Sequence, residues 1–499
     1  MKEYRPWAPE QTYLLPPSPL EWLPQGHLAY FVLELVRELD LSAIEGAVQS
    51  KDGRGTRPYA PRMMAALILY AYCVGVFSSR KIERATYEDV AFRVLAGGAH
   101  PFFTTVNDFR LTHREALSGL FLQVLKLCAR AGLKTVGHVS LDGTKVQANA
   151  SKHKAMSYGR MKDEEKRLAA EIEQMLFRAD EVDRFEDEQH GRDKRGDELP
   201  EEFQRRDERL RRIREAKAAL EKEAAEARAA TLREQAGQLR QSAQNDAYPI
   251  KRRAEAATRA TKTDKRADEL APRDDDDDDD GNAGAQLPLH RVQTTPEGKP
   301  TDKAQRNFTD PDSRIMVKNG VFVQAYNAQA VASEDQIIVA HGVTNAPTDV
   351  QHLEPMLARV EANCEQVPQA LTADNGYLSA RNIAACEERG VDAYIAVRKS
   401  DAEKLARLPL QANQQAHWEM LQKLATPEGA KIYARRKVIV EPVFGQIKHA
   451  VGFRRFSLRG LAKVPAEWGI VCLCHNVLKL FRRTGSLAAM LQLPAPRHV

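Results

Sequence analysis

The sequence predicts a mixed α/β fold, and three features of its 499 residues support this prediction. The N-terminal part repeats apolar residues at helical spacing. Strand-like runs follow around Asp142 and return after residue 306, where they alternate with helical runs. Residues 161–305 are instead crowded with Glu, Lys, Arg and Ala, which is typical of long polar helices. A chain of this length is expected to form more than one domain.

Composition narrows the class of protein. The net charge of +5 conceals alternating acidic and basic runs, a pattern that favours a local anion-binding face. Six scattered cysteines predict no disulfide framework and a reducing compartment. No signal peptide is evident, and the longest apolar run, residues 63–77, is shorter than the roughly 20 residues that cross a bilayer. We therefore expect a cytoplasmic protein.

The N-terminal part is predicted to be helical. Residues 1–25, rich in proline and aromatic residues, suit an extended arm, and residues 26–134 suit an all-α domain. One helix is expected after Ser78 and Ser79, and another over residues 105–131. Basic residues on exposed faces fit a helix-turn-helix-like DNA reader and fit a plain helical bundle equally well. These residues are Arg80, Lys81, Arg84, Arg110 and Arg114.

Asp142 lies in a predicted strand. Aspartate is depleted in strands, and a buried carboxylate needs a partner such as a metal or an arginine. The alternative is a turn aspartate before Gly143. Lys152 and Lys154 follow as a small basic flank.

The charged stretch at 161–305 is predicted to be a helical and partly disordered insertion without a catalytic site. Residues 162–184 and 201–244 are expected to form two long helices, joined near residues 191–200 as a hairpin arm or an antiparallel coiled coil. The chain turns polar beyond Tyr248, and the acidic run 274–280 is expected to be solvated or disordered.

Strand patterns return after the insertion. Residues 320–342 predict a hairpin, and Asp349 is expected to cap a helix. A strand before Asp374, a helix capped by Ser379 and a strand over 391–397 predict a parallel pair. Asp374 would then lie where open α/β sheets bind ligands, although Asp-Asn-Gly is also a common turn.

Glu441 is the single acid in the basic stretch 431–460, which indicates a buried ion pair or a carboxylate used beside a polyanion. Pro442 follows directly, so we expect Glu441 at a helix start, or at a kink if residues 435–437 are already helical. The basic candidates for DNA contact are Arg436, Lys437, Lys448, Arg454, Arg455 and Arg459, together with Lys152 and Lys154.

Asp142, Asp374 and Glu441 are candidates to converge on divalent cations, because hard cations such as Mg²⁺ prefer one or two carboxylates plus substrate phosphate oxygens, but their spacing alone does not establish convergence. Cys472, Cys474 and His475 resemble metal ligands, but their apolar surroundings favour a core helix.

The acids stand in three recognisable motifs: SLDGTKVQANASKHKAMSYGR, TADNGY and VEPVFGQIKHAVGFRRFSLRG. In combination and order they resemble insertion-sequence transposases of the IS1182 type, relatives of the IS4 and IS5 groups. The resemblance implies a ribonuclease H-like catalytic core at residues 135–160 and 306–450, followed by a C-terminal helical region at 451–499. It also implies that Asp142, Asp374 and Glu441 form a metal-binding triad that uses Mg²⁺, with Mn²⁺ able to substitute.

The family has a signature of tyrosine, arginine, glutamate and lysine. Its lysine maps onto Lys448, seven residues after Glu441, and its arginine position falls on Lys437, with Arg436 adjacent. Tyr433 lies one residue early for the tyrosine.

The function implied is a DNA transposase that binds terminal inverted repeats, cleaves the element ends and transfers the 3′ hydroxyl to target DNA. Its partners would be double-stranded DNA and a second copy, as a homodimer or a larger synaptic complex at the nucleoid. The alternatives are an inactive or domesticated DNA-binding protein with the same fold, and a simple ribonuclease.

Overall fold

The structure is a computed structural model that describes residues 21–50, 57–190, 201–245, 247–272, 287–398 and 412–491. The acidic run 274–280, the joint at 191–200 and residues 1–20 of the predicted arm lie outside these ranges. Among the described helices, none is long and apolar enough to cross a membrane. The described part confirms the mixed α/β architecture.

Seven helices form the N-terminal part: α1 (Leu28–Glu38), α2 (Ser42–Gln49), α3 (Pro61–Cys73), α4 (Ser79–Glu88), α5 (Val90–Leu95), α6 (Phe103–Thr112) and α7 (Arg114–Arg130). Two of the predicted long helices are each divided. Asp89 ends the first by accepting hydrogen bonds from the Ala91 and Phe92 amides at the start of α5. His113 separates α6 from α7.

Arg110 corrects one expectation, because it is buried rather than exposed. Its guanidinium Nη1 donates to the Tyr72 hydroxyl at 3.0 Å and to the Phe77 carbonyl at 3.1 Å. The residue therefore ties α6 to α3 inside the helical domain. Arg80, Lys81 and Arg84 on α4 are exposed, as expected.

Eight strands follow in chain order: β1 (His138–Gln147), β2 (Ala155–Ser157), β3 (Gln305–Asn307), β4 (Arg314–Lys318), β5 (Val321–Ser333), β6 (Ile338–Thr344), β7 (Ala370–Ala373) and β8 (Asp392–Ile395). Six of them form one sheet in the order β4-β5-β1-β7-β8, with β6 also paired to β5. β1 is antiparallel to β5 and parallel to β7, and β7 is parallel to β8. The predicted hairpin and the parallel strand–helix–strand unit are both confirmed.

The remaining helices are α8 (Tyr158–His190), α9 (Glu201–Gln244), α10 (Ile250–Leu270), α11 (Leu353–Cys364), α12 (Ala380–Glu388), α13 (Ala412–Ala425), α14 (Pro427–Ala434), α15 (Arg436–Gly445), α16 (Val464–Thr484) and α17 (Leu487–Leu491). A π-helical turn, Gln446–Ala450, continues α15. α15 packs against β1 and β5, while α16 packs against β6, α3 and α7. One continuous apolar core therefore joins the N-terminal helices to the sheet.

The insertion is a three-helix arm. α8 and α9 pack in opposite directions, with Glu164 paired to Arg209 and Glu171 to Arg206. α10, which was not predicted, packs on α9 through small residues such as Ala256 and Ala260, a pattern with little apolar signal. At the base of the arm, β2 and β3 pair as a two-stranded antiparallel ribbon.

The C-terminal cysteine and histidine cluster lies in the core. Cys472, Cys474 and His475 are all buried within α16. Their interpretation as residues of a core helix is confirmed.

Candidate active site

The sheet brings the first two acids side by side. Leu141 on β1 pairs with Ala373 on β7, so Asp142 and Asp374 occupy the next position of the same parallel register. The Asp142 side chain is 17% exposed. Asp374 follows the end of β7, where its carboxylate accepts a 2.8 Å hydrogen bond from the Gly376 amide. The strand-end position predicted for Asp374 is confirmed.

Arg436 connects the first acid to the third. Its Nη2 donates to Asp142 Oδ2 at 2.8 Å, and its Nη1 donates to Glu441 Oε1 at 3.3 Å. The Arg436 side chain is only 16% exposed, whereas Glu441 is about half exposed. α15 thus places Glu441 within reach of the same guanidinium that neutralises Asp142.

This contact shows which basic residue forms ion pairs with the acids. Arg436 meets both of them, while the neighbouring Lys437 is exposed. Tyr433 and Arg436 are both displaced by one residue from the spacing that the resemblance implied. One added residue between Arg436 and Glu441 accounts for both displacements.

Glu441 does not begin a helix, which corrects the first expectation for this residue. α15 begins at Arg436, and Pro442 lies inside it. A proline in a helix leaves the carbonyl four residues earlier without its amide donor. Here that carbonyl belongs to Val438, and the Gln336 side-chain amide donates to it at 2.7 Å. A residue distant in the sequence therefore makes the internal proline tolerable.

A fourth carboxylate, Asp349, lies in the same cluster. Its Oδ1 accepts hydrogen bonds from Asn327 at 2.6 Å and Gln329 at 2.9 Å, and it forms a 3.4 Å ion pair with Lys145. The sequence predicted that Asp349 caps a helix. This prediction is wrong, because α11 begins at Leu353 and the residue directly before it is His352. Local sequence gave no signal for this site, since all three partners come from β1 and β5.

Two glycines allow the carboxylates to approach the sheet. A Cβ on Gly143 would overlap Gln329 Nε2 and lie 3.0 Å from Asp349 Oδ1. A Cβ on Gly376 would lie 3.0 Å from Asp374 Oδ1 and 3.4 Å from Asp349 Oδ2. The Asp349 carboxylate is therefore close to the two chain segments that carry the predicted metal ligands Asp142 and Asp374.

The electrostatics follow from this crowding. Burial raises the pKa of the Asp142 carboxyl to about 6, against the opposing effect of the Arg436 charge. The negative charges of Asp374 and Asp349 raise this pKa further. Burial also raises the pKa of Tyr433, which Arg436 opposes and the nearby acids reinforce. The positive charge of Arg436 therefore offsets only part of the negative charge of these carboxylates.

Among the described side chains, no three of the His, Cys, Asp and Glu type converge closely enough to hold a metal ion together. The predicted triad is adjacent but not assembled as a ligand set, because the Arg436 guanidinium lies between Asp142 and Glu441. The donor chemistry nevertheless fits a hard divalent cation, since all these acids offer carboxylate oxygens.

Two of the predicted DNA-contact residues, Arg454 and Arg459, are hydrogen-bonded to the end of β1 and the residues just after it. The backbone of Arg454 accepts a hydrogen bond from the Gln147 amide, and Arg459 Nε donates to the Asn149 carbonyl at 2.9 Å. Phe453, just before Arg454, and Phe456, between Arg454 and Arg459, are buried, which fixes this segment to the core. Lys448 is partly buried, and the others are exposed: Lys152, Lys154, Lys437, Arg454, Arg455 and Arg459.

Two family models match the chain. The model described as "Transposase DDE domain" matches residues 292–477, and the one described as "Transposase domain (DUF772)" matches residues 18–111. The first match includes Asp374 and Glu441 but begins at residue 292, near the end of the insertion, so it leaves out Asp142. No curated protein and no solved structure is significantly similar to the chain.

The DDE domain places the sheet in the ribonuclease H-like class, whose DDE transposases act on DNA and use divalent metal ions. The N-terminal match covers α1 to α5 and most of α6, in the helical domain. The two domains in this order are the signature of one group of mobile elements. Together these two domains are the signature of IS1182-family transposases, and the DDE domain indicates a DDE-type transposase, a metal-dependent enzyme of DNA cleavage and strand transfer.

Proposed function

We propose that this transposase binds the terminal inverted repeats of its element, cleaves the element ends and joins each freed 3′ hydroxyl to target DNA. The observation that carries the proposal is the grouping of Asp142 and Glu441 around Arg436, with Asp374 next in register. Phosphoryl transfer needs acids for a cation and positive charge for phosphate oxygens, and this surface offers both.

Asp142 and Asp374 would hold Mg²⁺, or Mn²⁺ in its place, with Glu441 as the third ligand. Raised pKa and burial at Asp142 support this assignment, because they indicate a carboxylate that is short of positive charge. A bound divalent ion supplies Lewis acidity, which activates an attacking oxygen and stabilises a leaving one.

The reaction has two displacements at phosphorus. In the first, a water oxygen attacks the scissile phosphorus, the bond to the 3′ oxygen breaks, and that oxygen leaves as a hydroxyl. In the second, the same 3′ oxygen attacks a target phosphate and displaces a target 3′ oxygen. Lys448 and Arg436 would hold the phosphate oxygens in line, because Arg436 donates to Asp142 and Lys448 feels the negative charge of Asp142.

The N-terminal helices would read the inverted repeats, a role that the exposed Arg80, Lys81 and Arg84 on α4 support. Exposed Lys152, Lys154, Lys437, Arg454, Arg455 and Arg459 would contact the DNA backbone. Joining two ends requires a homodimer or a larger synaptic complex, acting in the cytoplasm on nucleoid DNA. Removal of residues 161–305 tests whether the arm mediates this assembly: unchanged oligomerisation and end pairing would exclude it.

The test is an end-cleavage assay on the inverted-repeat DNA of the encoding element with Mg²⁺ or Mn²⁺. Asp142→Asn, Asp374→Asn and Glu441→Gln keep side-chain shape and remove charge. We expect each to lower cleavage by about 100-fold or more while end binding persists. Glu388→Gln, an exposed carboxylate on α12, is the matched control and should cleave like the wild type.

The outcomes separate the candidate functions. Wild-type protein that binds the ends without cutting would support the inactive DNA-binding alternative. Cleavage of RNA in hybrids without end specificity would support a ribonuclease. Full cleavage by all three variants would overturn the assignment of the triad.

A further inference from the structure

The hairpin between β4 and β5 has a two-residue loop. Its two loop residues, Asn319 and Gly320, have φ values of 50° and 75°. Positive φ at both positions is the geometry of a type I′ turn, which matches the twist of paired strands. Lys318 therefore pairs with Val321, and Val317 with Phe322, up to the very tip.

The tip exposes large apolar side chains. Val317 and Val321 are each 56% exposed, and Phe322 is 61% exposed. Val317 and Phe322 pair on one face of the hairpin and Val321 lies with Lys318 on the other, so the tip carries exposed apolar side chains on both faces. Exposed sheet edges usually carry charged residues that prevent association, so these apolar residues mark the tip as a contact site.

Positive charges lie near this tip, since the Lys318 and Arg454 charges act on each other and Arg454 Nε donates to the Lys448 carbonyl at 3.0 Å. Lys318, Lys448 and Arg454 have no ion pair with a carboxylate among the described residues. Burial lowers the pKa of Lys318, as does the Arg454 charge. Burial and the Lys318 charge likewise lower the pKa of Lys448, which also feels the negative charge of Asp142. A bound polyanion would reduce the repulsion among these three cations, so this charge favours DNA as the occupant.

We propose that residues 317–322 insert their apolar side chains into a groove of the DNA bound at the active site, while Lys318, Lys448 and Arg454 hold the flanking phosphates. This inference rests on the proposed function. Apolar side chains that enter the minor groove wedge between base steps and partly unstack them.

The strand register sets the position of this contact. Asp142 pairs with Ala330, and Phe322 lies eight residues before Ala330 on the same strand. At the rise of an extended strand this separation is about 27 Å. A duplex that follows the strand would be contacted about eight base pairs from the scissile phosphate, given its rise of about 3.4 Å per base pair.

The experiment uses the full chain, without metal so that the strands stay intact, and a duplex with the terminal sequence of the encoding element. 2-Aminopurine is placed at successive positions from the cleavage site. We expect a fluorescence increase centred about eight base pairs away, since unstacking relieves quenching. Phe322→Ala should abolish the increase and Phe322→Leu should keep it. Phe177→Ala, which removes a comparably exposed phenylalanine on α8, is the matched control and should also keep it.

Three results would overturn the proposal. The first is a signal that survives in Phe322→Ala together with Val321→Ser. The second is a fluorescence signal in Phe322→Ala equal to that of the wild type, together with a change in the sedimentation of the variant, which would make the tip an interface between copies. The third is wild-type protein that binds and cleaves the ends but gives no signal away from the cut. Wild-type protein that fails to bind the ends contradicts the proposed function itself, and the hairpin proposal falls with it.

Discussion

Arg436 neutralises part of the charge of two carboxylates with a single guanidinium. It donates to Asp142 at 2.8 Å and to Glu441 at 3.3 Å, and its buried Nε has no hydrogen-bond partner among the described residues. Its fork geometry suits bidentate contact with oxyanions, which a lysine does not reproduce. Arg436 is thus an internal cation at a place where a metal and a phosphate are proposed to bind.

We predict that Arg436→Ala lowers the free energy of unfolding by about 1–3 kcal/mol without metal, because Asp142 is left buried without its partner. Added Mg²⁺ should restore more stability to this variant than it adds to the wild type. Urea unfolding with and without Mg²⁺ measures both effects. Lys437→Ala, the exposed neighbour, should change stability by less than about 0.5 kcal/mol. Equal Mg²⁺ responses in Arg436→Ala and wild type would contradict the prediction.

Asp349 acts through its neighbours, so we class it as a positioning residue. Asp349→Asn removes the ion pair with Lys145 and one of the charges that crowd Asp142. Changes of this kind around metal ligands typically cost about 10–100-fold in activity or metal affinity. We expect cleavage to fall within that range and the Mg²⁺ concentration for half-maximal rate to shift, with end binding unchanged.

The control for Asp349 is Glu354→Gln on α11, whose carboxylate pairs with the exposed Arg381 away from the acids. It should leave the Mg²⁺ dependence as in the wild type. A loss of cleavage in Asp349→Asn without any shift in Mg²⁺ dependence would indicate a purely structural role.

At the scale of elements, the antiparallel pair of β1 and β5 builds the floor of the site. Gly143 pairs with Gln329, whose side chain is fully buried and hydrogen-bonds to Asn327, Asp349 and Tyr377. The amide therefore cannot move aside without losing several partners. Gly143 is required for lack of space, since its backbone φ is not positive.

We predict that Gly143→Ala destabilises the protein by about 1–3 kcal/mol, as forced overpacking of a core does. It should also abolish cleavage, because Gln329 is displaced from Asp349. Gly46→Ala in α2 meets no atom within 4 Å and should instead stabilise by up to about 1 kcal/mol. Thermal unfolding of the two variants decides the matter, and equal shifts of the same sign would refute the steric argument.

Sequence patterns predicted the strand around Asp142 from the alternation of its residues, and the strand before Asp374 from a short run that ends in turn residues. They failed where distant residues intervene. Pro442 is tolerated inside α15 because the Gln336 side-chain amide donates to the Val438 carbonyl, to which a proline cannot donate. Asp349 joins the acids through a hydrogen bond from Gln329 on β5. The spacing around Glu441 left the choice between Lys437 and Arg436 open, and only the fold shows that Arg436 faces the carboxylates.

For the whole molecule, a buried polar network couples the helical domain to the basic segment beside the acids. Glu467 on α16 is fully buried and accepts hydrogen bonds from the Ser457 and Leu458 amides. The Tyr72 hydroxyl donates to it at 3.3 Å, and Arg110 donates to Tyr72. The proposed end-reading domain and the phosphate-binding segment are therefore held as one unit.

We predict that Glu467→Gln destabilises the protein on the order of 3 kcal/mol, because it leaves the buried Arg110 charge without its counter-charge. Hydrogen exchange should rise together in α3 and in residues 454–459. Glu88→Gln, which breaks an exposed pair with Arg84, should cost less than about 0.5 kcal/mol and leave exchange unchanged. Increased exchange confined to one of the two regions would show that the network does not couple them.

The ribbon of β2 and β3 holds the two ends of the arm side by side. Ala155 pairs with Asn307 and Ser157 with Gln305, so the chain leaves the catalytic core and returns to it at neighbouring positions. A segment of any length can be accommodated between such paired ends without separating Asp142 from the rest of the sheet. A chain shortened to a two-residue turn at Ser157 would keep the residues of every strand in the six-stranded sheet but would lose Leu287, which packs in the main apolar core, so only the part of the arm before residue 287 is separate from that core.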